Sequence, residues 1–301
     1  LSVWVRIFAE FRTMTTFQYS TDSTTGTNLS ADDDIYIVDA GVTISVTGDD
    51  VFFGGVAFTG NSFEINGTLE SFSTNYAFLL LADDTKITVS ATGTVTGENI
   101  TISMQGADAS IVNRGSIFGT NFAIRLEGNS AFLKNEGTID SDGTAVYISD
   151  DNGEVENLGG TISGVVGINT VLVAGQDVSI FNSGTISGTT YAYSGSAGSE
   201  TLVNRGDIIG DVYLRDSNDV FDTVGGTVTG SVYGGNGNDT YKVDTAGISL
   251  VETSTGGTDT IESSVSFTLA DFFEKLTLTG SASNNATGNS LANTLTGNGG
   301  N

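Results

Sequence analysis

A unit of about 22 residues returns along most of the chain, and no other feature restricts the fold as strongly. Asn113-Arg114-Gly115-Ser116-Ile117 comes back as Asn135-Glu136-Gly137-Thr138-Ile139, Asn182-Ser183-Gly184-Thr185-Ile186 and Asn204-Arg205-Gly206-Asp207-Ile208. With the glycine before Thr-Ile as marker, copies stand at Gly67, Gly93, Gly115, Gly137, Gly160, Gly184, Gly206 and Gly226, and a less regular one at Gly41. Two residues after each of the eight markers come Leu69, Val95, Ile117, Ile139, Ile162, Ile186, Ile208 and Val228, all apolar in a chain that is only 38% hydrophobic. A second apolar column precedes the marker: Phe63, Val89, Ile111, Leu133, Val155, Ile180, Leu202 and Phe221.

A coil of this size is too small to bury its own apolar face, so the coils must stack. Strands about 4.8 Å apart then close their hydrogen bonds between coils and line like residues into ladders. The fold expected is all-β, a right-handed parallel β-helix or β-solenoid, with the apolar columns inward and roughly nine coils in a rod on the order of 45 Å long. Asn113, Asn135, Asn157, Asn182 and Asn204 fall at one corner, where their amides can bond along the ladder; the glycine beside each is expected to supply a left-handed backbone. The absence of proline suits a chain whose amides nearly all bond across coils. Helical spacing occurs only at Leu269, Phe272, Phe273 and Leu276, enough for one or two turns.

Composition narrows the chemistry. Thirty-six acidic against 10 basic residues leave a net charge of −26, which repels nucleic-acid phosphates and anionic membranes and favours cations. There is no His and no Cys, so His-based acid–base and nucleophile systems, nitrogen- or sulfur-ligated zinc and disulfides are excluded. No apolar run is long enough to span a membrane. Residues 1–13, without an initiator Met, read as an upstream extension or cap. The chain divides into an N-terminal extension over 1–28, β-helix repeats over 29–209 and a distinct segment over 210–301.

In that last segment, Asp219, Asp239 and Asp259 are spaced by 20 and 20 residues, each followed two positions later by Phe221, Tyr241 or Ile261. Stacking would put the three carboxylates in one column, where they repel one another unless a cation lies between the coils. Glycine-rich turns before Asp239 and Asp259 bring backbone carbonyls to the same place. A site made only of oxygens suits calcium.

Gly234-Gly235-Asn236-Gly237-Asn238-Asp239-Thr240-Tyr241-Lys242 resembles the Gly-Gly-x-Gly-x-Asp-x-apolar-x nonapeptide of the repeats-in-toxin (RTX, haemolysin-type) calcium-binding family. Gly257-Thr258-Asp259-Thr260-Ile261, Glu274 to Gly280 and Gly288 to Asn293 extend the likeness over about 230–301. The resemblance implies a calcium-stacked β-roll continuing the β-helix, with Asp219, Gly235, Asn236, Gly237, Asp239, Gly257 and Asp259 as metal-site residues. It also implies export by type I secretion and folding outside the cell. The departures are that only one copy is a full nonapeptide, that the turn before Asp219 lacks the glycines, and that Thr287-Gly288-Asn289 and Thr296-Gly297-Asn298 keep the period without Asp. The chain stops at Gly299-Gly300-Asn301, one residue short of the next expected Asp, as in a truncated repeat.

The expected function is an extracellular, calcium-binding structural scaffold or adhesin part, without catalysis, whose folding is coupled to calcium and whose partner is a cell-surface or carbohydrate ligand. End-to-end self-association through open strand edges is a further expectation. A polysaccharide-modifying β-helix enzyme is the first alternative. It has only Lys86, Arg114, Arg125, Lys134 and Arg205 as cationic groups within the β-helix, too few and too dispersed for an acidic polymer. A surface-binding solenoid for ice or carbohydrate is the second, on the outward row Thr68, Thr94, Ser116, Thr138, Thr161, Thr185, Asp207 and Thr227. The acidic runs Asp32-Asp33-Asp34, Asp49-Asp50, Asp83-Asp84 and Asp150-Asp151 read as solvated coil edges.

Overall fold

The computed structural model describes residues 15–23, 27–28, 32–47, 50–54, 59–72, 76–149 and 151–300. The proposed 1–13 extension, Asp49 and Asp150 lie outside the described residues. The fold is all-β, a solenoid of stacked parallel strands. Most strands have only four or five residues and alternate outward and buried positions, as in Ser110–Asn113 and Ser116–Gly119. Most coils place their strands on three faces; after Val251 the coils keep the first-face strand, and Phe267–Thr268 pairs with Ala286–Thr287 in a separate two-stranded sheet. The first face is a sheet of fourteen strands, from Thr16–Tyr19 to Thr294–Thr296. Strands about 4.8 Å apart make this a stack on the order of 60 Å, longer than the nine coils expected, because the acidic segment continues the same sheet. The other two faces share a sheet of eighteen strands, and Thr161–Thr170 and Thr185–Ser194 run along both. On the first face Ser199–Asn204 pairs in parallel with Val220–Asp222, so the stack passes from the Asn repeats into the Asp repeats without a break.

The column after the marker glycines is buried from Leu69 to Ile208, with Val228 partly covered. In the column before them, Phe63 pairs with Ile87 and Ile87 with Ile111. Val89 therefore belongs to the neighbouring inward column, between Ile65 and Asn113. The corner before Gly93 carries two extra residues; a two-residue slip keeps a side chain on the same face, so alternation does not reveal it.

The Asn ladder forms as expected. Nδ2 of Asn113 donates to Oδ1 of Asn135 at 2.8 Å, and the pattern continues through Asn157 and Asn182 to Asn204, which donates to Oγ1 of Thr223 at 3.2 Å. All five amides are fully buried. The adjacent glycines, however, are not left-handed: Gly115, Gly137, Gly184 and Gly206 are required by close approach. A Cβ on Gly115 would fall 2.1 Å from the carbonyl oxygen of Gly93, and one on Gly137 2.2 Å from that of Gly115. The left-handed backbone appears where a copy has one glycine more, at Gly159 (φ +75°) and Gly225 (φ +83°).

Acidic pairs turn out to build corners. Asp83 Oδ1 accepts the N–H of Ala107 at 2.8 Å, Asp50 Oδ1 that of Tyr76 at 3.0 Å and Asp151 Oδ1 that of Asp177 at 3.0 Å. Asp33 and Asp84 take the left-handed conformation at φ 57°, which Asp tolerates better than most residues. Asp34 is not a solvated edge: it is buried, and its carboxylate accepts from Thr15 N at 3.2 Å. No described residue is helical. The expected turn of helix at 269–276 is instead a tight return in which Phe272 turns outward at φ 70° while Leu269, Phe273 and Leu276 stay in the core.

Candidate metal centre

The first face opens, in each coil, on one inward position that runs the length of the stack. Through the middle it is held by Ala109, Ala131, Gly153 and Val178, and from there on by acids: Glu200, Asp219, Asp239, Asp259 and then Glu274. The three aspartates thus form one column, as their spacing predicts, and all are buried. One oxygen of each is used in holding the coils together. Oδ1 of Asp219 accepts the N–H of Glu200 at 2.7 Å, Oδ1 of Asp239 that of Asp219 at 2.8 Å, and Oδ1 of Asp259 that of Asp239 at 2.8 Å. Glu274 repeats the contact with Asp259 N at 2.9 Å. The second oxygens of Asp219, Asp239 and Asp259 are buried without a hydrogen-bond partner.

The turns before these aspartates share one backbone. Gly235 (φ +108°) pairs with Arg215 (φ +85°), and Gly237 (φ +140°) and Gly257 (φ +139°) match Ser217 (φ +88°). The glycines are needed both for their positive φ and for stacking: a Cβ on Gly237 would fall 1.6 Å from the carbonyl oxygen of Ser217, and one on Gly257 1.9 Å from that of Gly237. Ser217 lies against a different turn and has room to donate its hydroxyl to Ala197 O at 2.9 Å. Asn236 points away from the column, exposed and donating to Asp216 Oδ1 at 2.6 Å.

Glu252 is the residue that the repeat pattern missed. It is buried, faces the gap left by the absent side chain of Gly234, and lies with Asp239 and Asp259 so that one oxygen from each falls within 4.8 Å of the others. The Tyr241 hydroxyl donates to Glu252 Oε1, and Gly235 N donates to Oε2 at 3.4 Å. Its signal was alternation: Leu250 and Glu252 have the same parity, so a charge had to point inward. Asp219 stands one coil away, beside Glu200.

Burial dominates the electrostatics. It pushes Asp239 and Asp259 up to about 6 and Glu252 up to about 7, with the neighbouring carboxylates adding to the rise. Asp219 is raised further, by burial and then by Glu200 and Asp239. None of the ion pairs among the described residues includes these groups; Arg114, Lys134 and Arg205 are paired with Glu136 and Asp222 elsewhere. Buried carboxylates with a free oxygen each on Asp239 and Asp259, joined by Glu252, with no nitrogen or sulfur ligand and no ion pair, form a donor set for a hard cation.

No family model, curated protein or solved structure matches this chain.

Proposed function

We propose that Asp239, Glu252 and Asp259 hold a calcium ion and that the solenoid is a calcium-dependent structural scaffold of a secreted or cell-surface protein. The observation that carries the reading is the pair of buried, unpartnered oxygens on Asp239 and Asp259, gathered with Glu252 in an all-oxygen cluster. The likeness of 234–242 to the repeats-in-toxin nonapeptide points the same way. Bound there, the ion supplies positive charge that cancels carboxylate repulsion and stabilises the native state by mass action. Sites of extracellular modules bind on the order of 10⁻⁴ to 10⁻³ M, which suits folding after export, where calcium is plentiful.

As an adhesin part, the rod offers a contact surface on its third face. There Tyr213 and Tyr233 stack with ring centroids 4.2 Å apart, and Tyr191 meets Tyr213 edge-on at 4.9 Å. A nearby groove of about 570 Å³ is lined by Asp140, Asp142, Ser163, Ser187, Val165 and Ile209. Rings beside carboxylates and hydroxyls suit a carbohydrate, stacking on its C–H faces and accepting from its hydroxyls. The outward Thr row from Thr43 to Thr227 stays in register but is interrupted by Asp207, and the outward row beside it reads Glu70, Thr96, Phe118, Asp140, Ser163 and lacks the repeated hydroxyls that an ice lattice needs.

Calorimetric titration of chelator-stripped protein with calcium chloride tests the site. The wild type takes up calcium, and Glu252→Gln weakens uptake at least tenfold. Absence of calcium uptake by the folded wild type overturns the reading.

A further inference from the structure

Glu200 and Asp219 stand on adjacent coils at the upstream end of the acidic column, and no glycine-rich motif marks them. Both are about 99% buried, at 1% exposure each. Glu200 N donates to Asp219 Oδ1 at 2.7 Å. Glu200 Oε1 accepts from Thr170 Oγ1 at 2.8 Å, from Ser196 N at 3.0 Å and from Ser196 Oγ at 3.3 Å. The buried Tyr193 hydroxyl lies 3.4 Å from Thr170 Oγ1. That leaves Glu200 Oε2 and Asp219 Oδ2, both enclosed and both without a hydrogen-bond partner.

We propose a second cation site between Glu200 and Asp219, of calcium-like hardness, built without the nonapeptide turn. Two buried carboxylates with no ion pair are costly unless a positive charge joins them. The hydroxyls of Thr170 and Ser196 hold Glu200 in place, the Tyr193 hydroxyl lies against Thr170, and the three extend the oxygen lining, with no nitrogen or sulfur side chain hydrogen-bonded to either carboxylate. The next inward position upstream is the buried Val178, so the cation column ends here, with the acid-to-apolar change as its boundary. The inference rests on reading the column as a cation ladder, but its residues are separate from the Asp239–Glu252–Asp259 cluster.

Titration of the folded full chain with calcium chloride distinguishes the two sites. Two ions bind per chain in the wild type, one in Glu200→Gln and one in Glu252→Gln. One ion in the wild type, unaffected by Glu200→Gln, overturns the second site and leaves the first standing; a proton shared between the two carboxylates gives this result. No ion in the wild type overturns both. Should Glu200→Gln fail to fold, terbium emission excited through tyrosine replaces it. Tyr193→Phe then removes one of two titration phases while Tyr241→Phe removes the other, and emission indifferent to Tyr193→Phe overturns the proposal.

Discussion

The backbone N–H of Asp219 donates to Oδ1 of Asp239, 2.8 Å away on the next coil, and Asp239 repeats the contact with Asp259. One oxygen of each carboxylate fastens coil to coil while the other is left without a partner. Asp239→Asn separates these roles, because an amide oxygen still accepts the N–H but carries no charge. In chelator at pH 8 the variant should be more stable than the wild type by about 1–3 kcal/mol, since a buried unpaired charge is gone. Its melting should respond less to calcium than the wild type's, keeping only the rise that the Glu200–Asp219 site supplies. Parallel melts of both proteins, with and without calcium, check this.

The acidic column also sets a pH dependence for the cation-free protein. Asp239 and Asp259 rise from 3.8 to about 6 and Glu252 from 4.5 to about 7. A raised carboxyl binds its proton more tightly when folded, so stability is greatest below the unfolded value and falls as pH climbs through the folded one. Each such rise corresponds to about 3 kcal/mol, and the mutual repulsion makes the sum an upper bound. Denaturant midpoints in chelator should therefore fall between pH 4 and pH 7.5, and saturating calcium should flatten the decline. A midpoint that rises over that range contradicts the assignment.

Asn157 sits in the middle of its ladder, accepting from Asn135 at 2.8 Å and donating to Asn182 at 2.7 Å. Asn157→Ala removes two ladder bonds, leaving the Asn135 amide with the carbonyls of Gly137 and Thr161 and Asn182 Oδ1 with the N–H of Gly184, at a cost of about 1–3 kcal/mol. Urea unfolding should show that loss with little change in calcium affinity, because the ladder is a structural device remote from the acids.

Gly237 and Ser217 occupy equivalent turn positions with opposite tolerance. Gly237→Ala places a methyl against the Ser217 carbonyl oxygen, 1.6 Å from the built Cβ position, and should destabilise by at least about 3 kcal/mol and weaken calcium binding. Ser217→Gly relieves a left-handed conformation but loses one hydrogen bond, so its stability should stay within about 1 kcal/mol of wild type. Melting and calcium titration of the two variants compare them directly.

Much of this architecture was legible in the sequence. The marker glycines and their apolar followers gave the coil, its inward columns and the Asn ladder, because strand alternation has a strict period and a stacked coil repeats it. Corner lengths were not legible: the two extra residues before Gly93 shifted Val89 by one inward column without altering its parity. The role of Gly115 and its equivalents was misread as conformational, since a sequence does not show which backbone lies above which. The aspartate column was found from its spacing. Glu252 and Glu200 were overlooked because neither belongs to the repeated turn; both share parity with a core leucine, Leu250 or Leu202, and that inward-pointing charge was the available sign.

The most direct measurement of the central claim is the thermal melt at pH 7.5, monitored by β-sheet circular dichroism, in chelator, in millimolar calcium and in millimolar magnesium. Millimolar calcium is about one to ten times the expected dissociation constant, so the native state gains about 0.4–1.4 kcal/mol from each site; the melting temperature should rise by a few degrees over chelator, and magnesium should give little of that rise. Identical melting in all three conditions would contradict the account and leave the buried carboxylates as protonated coil-to-coil acceptors.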